Sequence, residues 1–199
     1  MLEMIQATLA TKGYKVYSRP FELNIIGVRT NNTKPNSFDD FINVFYKNSE
    51  GKWVFHQFPA TTDPGTYWLQ NPMNAKGTAI LKHGQYVNSH GLGLHRGKYL
   101  ALVQKRNLTV IRDYDRNSVL DFMNGREETG MFGINIHRAS VSGTTKTVDK
   151  YSAGCQVFAN VNDFDVFLGL CERHKQLYGN DFSYTLVDER ALIREAKKN

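Results

Sequence analysis

The sequence predicts a mainly β fold, sandwich- or barrel-like, with one long helix late in the chain and helices at both termini. Three observations carry this: short runs of β-branched and aromatic residues, turn signals between nearly all of them, and a change to helical period only after Phe158. With 199 residues, and about 150 residues per domain as a guide, one domain with an elaborated end is expected. Aromatic residues make up 12% and charged residues 22% of the chain, which excludes disorder as the dominant state. No run approaches the roughly 18 apolar residues of a membrane span, so no stable membrane insertion is expected.

Residues 2–12 form a short amphipathic helix through Leu2, Ile5 and Leu9, stopped by Gly13. Glu22 to Thr30 is the first strong strand. Phe38 to Tyr46 and Lys52 to His56 flank Asn48-Ser49-Glu50-Gly51 and read as two strands joined by a turn. Further strands are predicted at Tyr67 to Gln70, Thr78 to Lys82, Tyr99 to Gln104, Leu108 to Arg112 and Gly133 to Ala139. Turns are signalled by Asp63-Pro64-Gly65, Asn71-Pro72, Gly84, Gly97 and Asn124-Gly125. The Gly-rich stretch HGQYVNSHGLGLHRG reads as a flexible loop whose His83, His90 and His95 could instead line a cleft or ligate a metal, although no His-Glu-x-x-His spacing accompanies them. After the short strand Gln156 to Phe158, Asn160 or Asn162 caps a helix running to about Tyr178, with Asp163 and Asp165 in its first turn. Phe182 to Val187 is a last strand, and Glu189 to Lys198 a terminal helix.

The chain carries 25 Lys and Arg against 19 Asp and Glu, a formal charge of +6. That excess suits a polyanionic neighbourhood without choosing one. No RNP, zinc-finger or basic-zipper pattern is present, so no nucleic-acid partner is expected. The two cysteines form neither a disulfide framework nor a metal-ligand doublet, and no cofactor or metal is implied. Cys171 falls at helical spacing with Phe164, Phe167 and Leu168 and reads as a small buried hydrophobe. Cys155 follows Ser152, Ala153 and Gly154 in a polar approach to a strand. A cysteine nucleophile needs a base, and His137 ends the run Gly133 to His137, where alternation buries Ile134 and Ile136 and turns the imidazole to the other face. The polar loop from Ser140 to Ser152 joins the two residues, so they can face each other across a cleft.

The segment from His137 to Phe167, IHR followed by a loop and YSAGCQVFANVNDFDVF, resembles the catalytic signature of the L,D-transpeptidase (YkuD-type) family. That signature is a histidine, a loop, Ser/Thr-His-Gly-Cys, an Arg-bearing strand and an Asn/Asp-led helix. Ala60 to Tyr67 is similar to the family's Thr-Pro-x-Gly-x-aromatic turn before a core strand, and Phe182 to Val187 has a counterpart there. The resemblance spans roughly residues 52–188. It implies an L,D-transpeptidase-type fold with residues 1–50 as an N-terminal extension of helix and strands packed on the core. Residues 51–188 would then be the catalytic domain, and 189–199 a C-terminal helix.

The resemblance further implies an enzyme acting on peptidoglycan stem peptides through an acyl-enzyme on Cys155, with His137 as base. The backbone carbonyl of Arg138 would hold the imidazole by its other nitrogen. The backbone N–H groups of Gly154 and Cys155 would be oxyanion donors, and Ser152 and Arg138 would contact substrate, with His90 of the Gly-rich stretch a further contact candidate read from the residues themselves. Two positions depart from the family: Ala153 stands where the signature has histidine, and Val157 stands where it has arginine. The second removes a cation suited to an acidic stem peptide, which Arg138 could replace. Hydrolase, of endolysin or carboxypeptidase type, and transpeptidase both remain open. So do a non-catalytic wall-binding or virion structural module and a cysteine peptidase acting on proteins. MLEMIQATLATKG lacks the features of a secretory signal. A protein that stays cytoplasmic until released, or that travels on a phage particle, and that acts at the bacterial wall is therefore expected.

Overall fold

In a computed structural model, which describes residues 1–32, 34–123 and 125–198, eight strands close into a barrel. Its members are β1 (Asn24–Arg29), β2 (Asp40–Lys47), β3 (Trp53–Thr61), β5 (Gly84–His95), β6 (Tyr99–Gln104), β9 (Ile136–Arg138), β10 (Gln156–Phe158) and β11 (Phe182–Asp188). Around the barrel the order is β1-β11-β5-β6-β9-β10-β3-β2. The pairs β1/β11 and β9/β10 are parallel and the others antiparallel. A separate three-stranded sheet is ordered β4 (Thr78–Leu81), β7 (Leu108–Asp113), β8 (Glu127–Gly130). Four helices complete the chain: α1 (Leu2–Thr11), α2 (Thr66–Gln70), α3 (Val161–Tyr178) and α4 (Glu189–Ala196). The mainly β class with helical termini is therefore observed. Among the described residues no helix is long and apolar enough to cross a membrane.

Strand β1 is buried along its whole length, because both of its faces are covered. Ile25 joins the main core inside the fold, while Ile26 and Val28 join Ile5, Leu9, Phe45, Val187 and Leu192 beneath α1 and α4. The N-terminal segment is thus built into the barrel: residues 1–50 supply two of its staves, and a boundary at residue 50 falls in the turn between β2 and β3. Helix α3 is capped as expected by Asn160, whose side-chain oxygen accepts from the N–H groups of Asn162 and Asp163. It buries Phe164, Phe167 and Cys171 against Phe158 and the main core.

Two local expectations are corrected. Tyr67 to Gln70 is helical, not extended, because Pro64-Gly65 turns the chain and Gly65 packs on the Asp149 carbonyl, where a Cβ would lie 2.0 Å from that oxygen. The Gly-rich histidine stretch is strand β5, paired on both sides by β6 and β11. Its glycines serve close packing: a Cβ at Gly93 would meet Val103 at 2.8 Å and one at Gly91 would meet the Asn180 carbonyl at 2.9 Å. Strand β8 follows the predicted Asn124-Gly125 turn, of which Asn124 lies outside the described residues.

A buried ion pair ties together one end of the barrel. Arg29, at the end of β1, lies 2.7 Å from Asp63 just beyond β3, with side chains only 5% and 7% exposed. The same guanidinium donates to Thr62 Oγ1, the Thr62 carbonyl and the Leu81 carbonyl. Asp40, at the start of β2, accepts from Thr62 N–H, Thr62 Oγ1 and Thr30 N–H. The ends of β1, β2, β3 and β4 are thus joined through side chains where the ladders stop. Arg29→Met is expected to cost about 3–5 kcal/mol of stability, because Asp63 is left as a buried carboxylate without its cation. Urea unfolding of both proteins at neutral pH measures this, and a loss below about 1 kcal/mol would contradict it.

Candidate active site

Cys155 and His137 reach the same cleft because β9 and β10 lie side by side in parallel, with Val157 opposite His137 and Gln156 opposite Ile136. The Gln156 N–H donates to the Asn135 carbonyl at 2.9 Å, extending the register one residue toward the cysteine. The expected alternation is present: Ile134 and Ile136 enter the main core, and His137 lines the cleft. The cleft encloses about 490 Å³, and His95, Arg96, Arg112, Asn135, His137 and Cys155 are among its walls.

The Arg138 carbonyl fixes the orientation of His137. Its Nδ1 lies 2.7 Å from the Arg138 carbonyl, an acceptor only, so the neutral ring carries its proton on Nδ1 and keeps a lone pair on Nε2. Tyr99 supports this arrangement by donating its hydroxyl to the same carbonyl at 3.1 Å. His95 stacks on His137 with ring centroids 4.0 Å apart. The Asn135 amide fixes the second ring, since its oxygen accepts from Gln104 N–H and its nitrogen lies 3.0 Å from His95 Nδ1. In this arrangement His95 carries its proton on Nε2. Two stacked imidazoles therefore differ in chemistry, one a proton acceptor and the other a donor.

Burial sets the resting charges. It pulls His137 down to about 3, helped by the neighbouring His95 and nearby arginines, and pulls His95 down to about 4. It pushes the Cys155 thiol up to about 11. The sulfur is not hydrogen-bonded to His137; it lies 3.4 Å from both the Gly133 carbonyl and the Asn135 N–H. The pair is thus a neutral thiol beside a neutral imidazole.

Several expected site residues serve the scaffold instead. His90 is fully buried, with Nδ1 at 2.8 Å from Ser89 Oγ and Nε2 at 2.9 Å from the Ile134 carbonyl, and it does not line the cleft. Ser152 is also buried: its hydroxyl donates to the Cys155 carbonyl at 2.7 Å and accepts from Gly154 N–H at 3.1 Å. Gly154 is therefore not a free oxyanion donor, although its φ of +128° and the Ala79 carbonyl at 2.6 Å from an added Cβ require glycine there. The Cys155 N–H has no hydrogen-bond partner among the described residues. Arg138 contributes its carbonyl, but its guanidinium stacks 4.0 Å from the Tyr99 ring centre and lies outside the cleft wall. The cations on that wall are Arg96 and Arg112.

His95 lines the cleft, as was open for the Gly-rich stretch, whereas Tyr99, Arg96 and Asn135 were not anticipated. Asn135 and His137 sit two apart on one strand, a spacing that puts both on one face, and this was the available signal. With its thiol so little ionised, Cys155 is expected to react with iodoacetamide slowly at neutral pH. The rate should rise about tenfold per pH unit toward alkaline pH, as read by peptide mass mapping. A plateau reached below about pH 8 would instead reveal a preformed thiolate–imidazolium pair. Comparison of the chain with family models, curated proteins and solved structures returned no match.

Proposed function

We propose that this protein is a cysteine-dependent enzyme of L,D-transpeptidase type, acting on the stem peptides of peptidoglycan through an acyl-enzyme on Cys155. The observation that carries the reading is the 2.7 Å contact from His137 Nδ1 to the Arg138 carbonyl, which leaves Nε2 as a base in the cleft that holds Cys155. A substrate carbonyl seated over the sulfur would receive the S–C bond as the thiol proton passes to His137 Nε2. That proton then moves to the leaving amine as the C–N bond breaks. Water or an acceptor amine next attacks the thioester, giving hydrolysis or transpeptidation. The thiol at about 11 and the imidazole at about 3 disfavour a resting ion pair, so proton transfer belongs to the bond-forming step.

The Cys155 N–H is a donor for the oxyanion. Arg96, in the turn between β5 and β6, supplies the cation for an acidic peptide that Val157 cannot, since Arg112 on the same wall is paired with Glu128. The excess of positive charge favours approach to an anionic wall polymer. A second reading, a wall-binding or virion module that retains the site without using it, is favoured by the thiol's contacts to Gly133 and Asn135 in place of His137.

Digestion of purified sacculi from several wall chemistries, with wild type, Cys155→Ala and His137→Ala, tests both readings by mass spectrometry of muropeptides. The enzyme reading expects a cleaved or exchanged stem peptide with wild type, none with Cys155→Ala, and about a 100-fold or greater loss with His137→Ala. No wild-type product on any wall, with retained binding to sacculi, would replace it by the binding module. Cleavage of casein with sacculi untouched would replace it by a protein peptidase.

A further inference from the structure

Strand β7 ends at Asp113, and the chain then runs Asp113-Tyr114-Asp115-Arg116-Asn117-Ser118-Val119-Leu120-Asp121. Carboxylates at the first, third and ninth positions, with an asparagine at the fifth, share part of the donor spacing of calcium-binding loops, while Ser118 and Asn124 stand where such loops have glycine and glutamate. In the fold the three carboxylates converge, one oxygen from each lying within 4.8 Å of the others. Asp115 is exposed, whereas Asp113 is fully buried. One Asp113 oxygen accepts from Asp121 N–H at 2.9 Å, and the other, Oδ1, is sealed from solvent with no hydrogen-bond partner among the described residues. Nor does any Lys, Arg or His among the described residues pair with these acids. The adjacent Arg112 is committed to Glu128, as is Lys76.

A buried carboxylate that has one oxygen without a partner and stands beside two further carboxylates is costly in a protein with cations to spare. We infer that Asp113, Asp115 and Asp121 form a binding site for a hard divalent cation, Ca²⁺. All three donors are oxygen, which disfavours zinc and copper. Donors presented from a pliable loop suit the irregular coordination of calcium better than the strict octahedron of magnesium. The ion would fasten residues 114–121 to the edge of the β4/β7 pair, where Asp113 lies opposite Thr78 and its carbonyl is packed against Gly77. Gly77, Thr78 and Arg112 are also walls of the cleft, so the cation would stiffen one rim of it. The inference does not depend on the chemistry of Cys155.

The test uses the full chain, stripped with EDTA, and reads terbium luminescence sensitised by Tyr114 together with the thermal midpoint. The wild type is expected to take up terbium saturably, to release it to Ca²⁺ at least tenfold more readily than to Mg²⁺, and to melt higher with Ca²⁺ present. Asp115→Asn, an exposed change that leaves the core intact, should weaken uptake at least tenfold. Asp113→Asn should abolish the calcium-induced rise yet melt higher than wild type without metal, because the repulsion is relieved; a merely structural aspartate would not raise that midpoint. No calcium-induced shift in the wild type at about 10 mM, well above the weak end of such sites, overturns the site. Unchanged uptake by Asp115→Asn does the same, and equal displacement by Mg²⁺ overturns the assignment to calcium.

Discussion

Closure of the barrel rests on two strands of three residues each, β9 and β10, laid in parallel between β6 and β3. So short a pair supplies few ladder hydrogen bonds, and β9 meets β6 only where Ile136 faces Leu102. The buried side chain of Gln104 makes up the difference. Its oxygen accepts from the N–H groups of Phe132 and Ile134, its nitrogen donates to the carbonyls of Arg106 and Gly130, and its own N–H donates to Asn135. Tyr184, the largest fully buried side chain, adds a tie from across the fold by donating to Gln156 at 2.8 Å. Gly27 leaves the room this requires, since a Cβ there would lie 2.0 Å from the tyrosine oxygen. The backbone that carries His137 and Cys155 is therefore held by side chains as much as by strand pairing, and the precision of the site follows from that bracing.

Desolvation is the second organising term. The histidines inside the fold are kept neutral by burial, and each is assigned a role by what its nitrogens touch. His90 spans Ser89 and Ile134 as a structural link, His137 is turned by the Arg138 carbonyl, and His95 is turned by Asn135. The same environment keeps the Cys155 thiol protonated. Arg96 leaves positive charge at the cleft, Arg112 beside it is paired with Glu128, and the carboxylates of the 113–121 loop gather at the adjoining edge.

Much of this protein follows from the sequence alone. The mainly β class, the β2/β3 hairpin, the Asn160 cap of α3, the buried Cys171 and the meeting of His137 with Cys155 all rest on local spacing or turn chemistry, which neighbouring residues largely determine. Tertiary contacts decided the rest. Gly91 and Gly93 read as loop residues until β6 and Asn180 press against them. Tyr67 to Gln70 becomes helical because Gly65 is packed on Asp149, and residues 1–50 become staves because β1 finds β11 at the other end of the chain. The roles of His90, Ser152 and Arg138 could not be read from spacing, since each depends on the partner its polar atoms reach. That partner is set by how the barrel closes, through contacts between residues far apart in the chain.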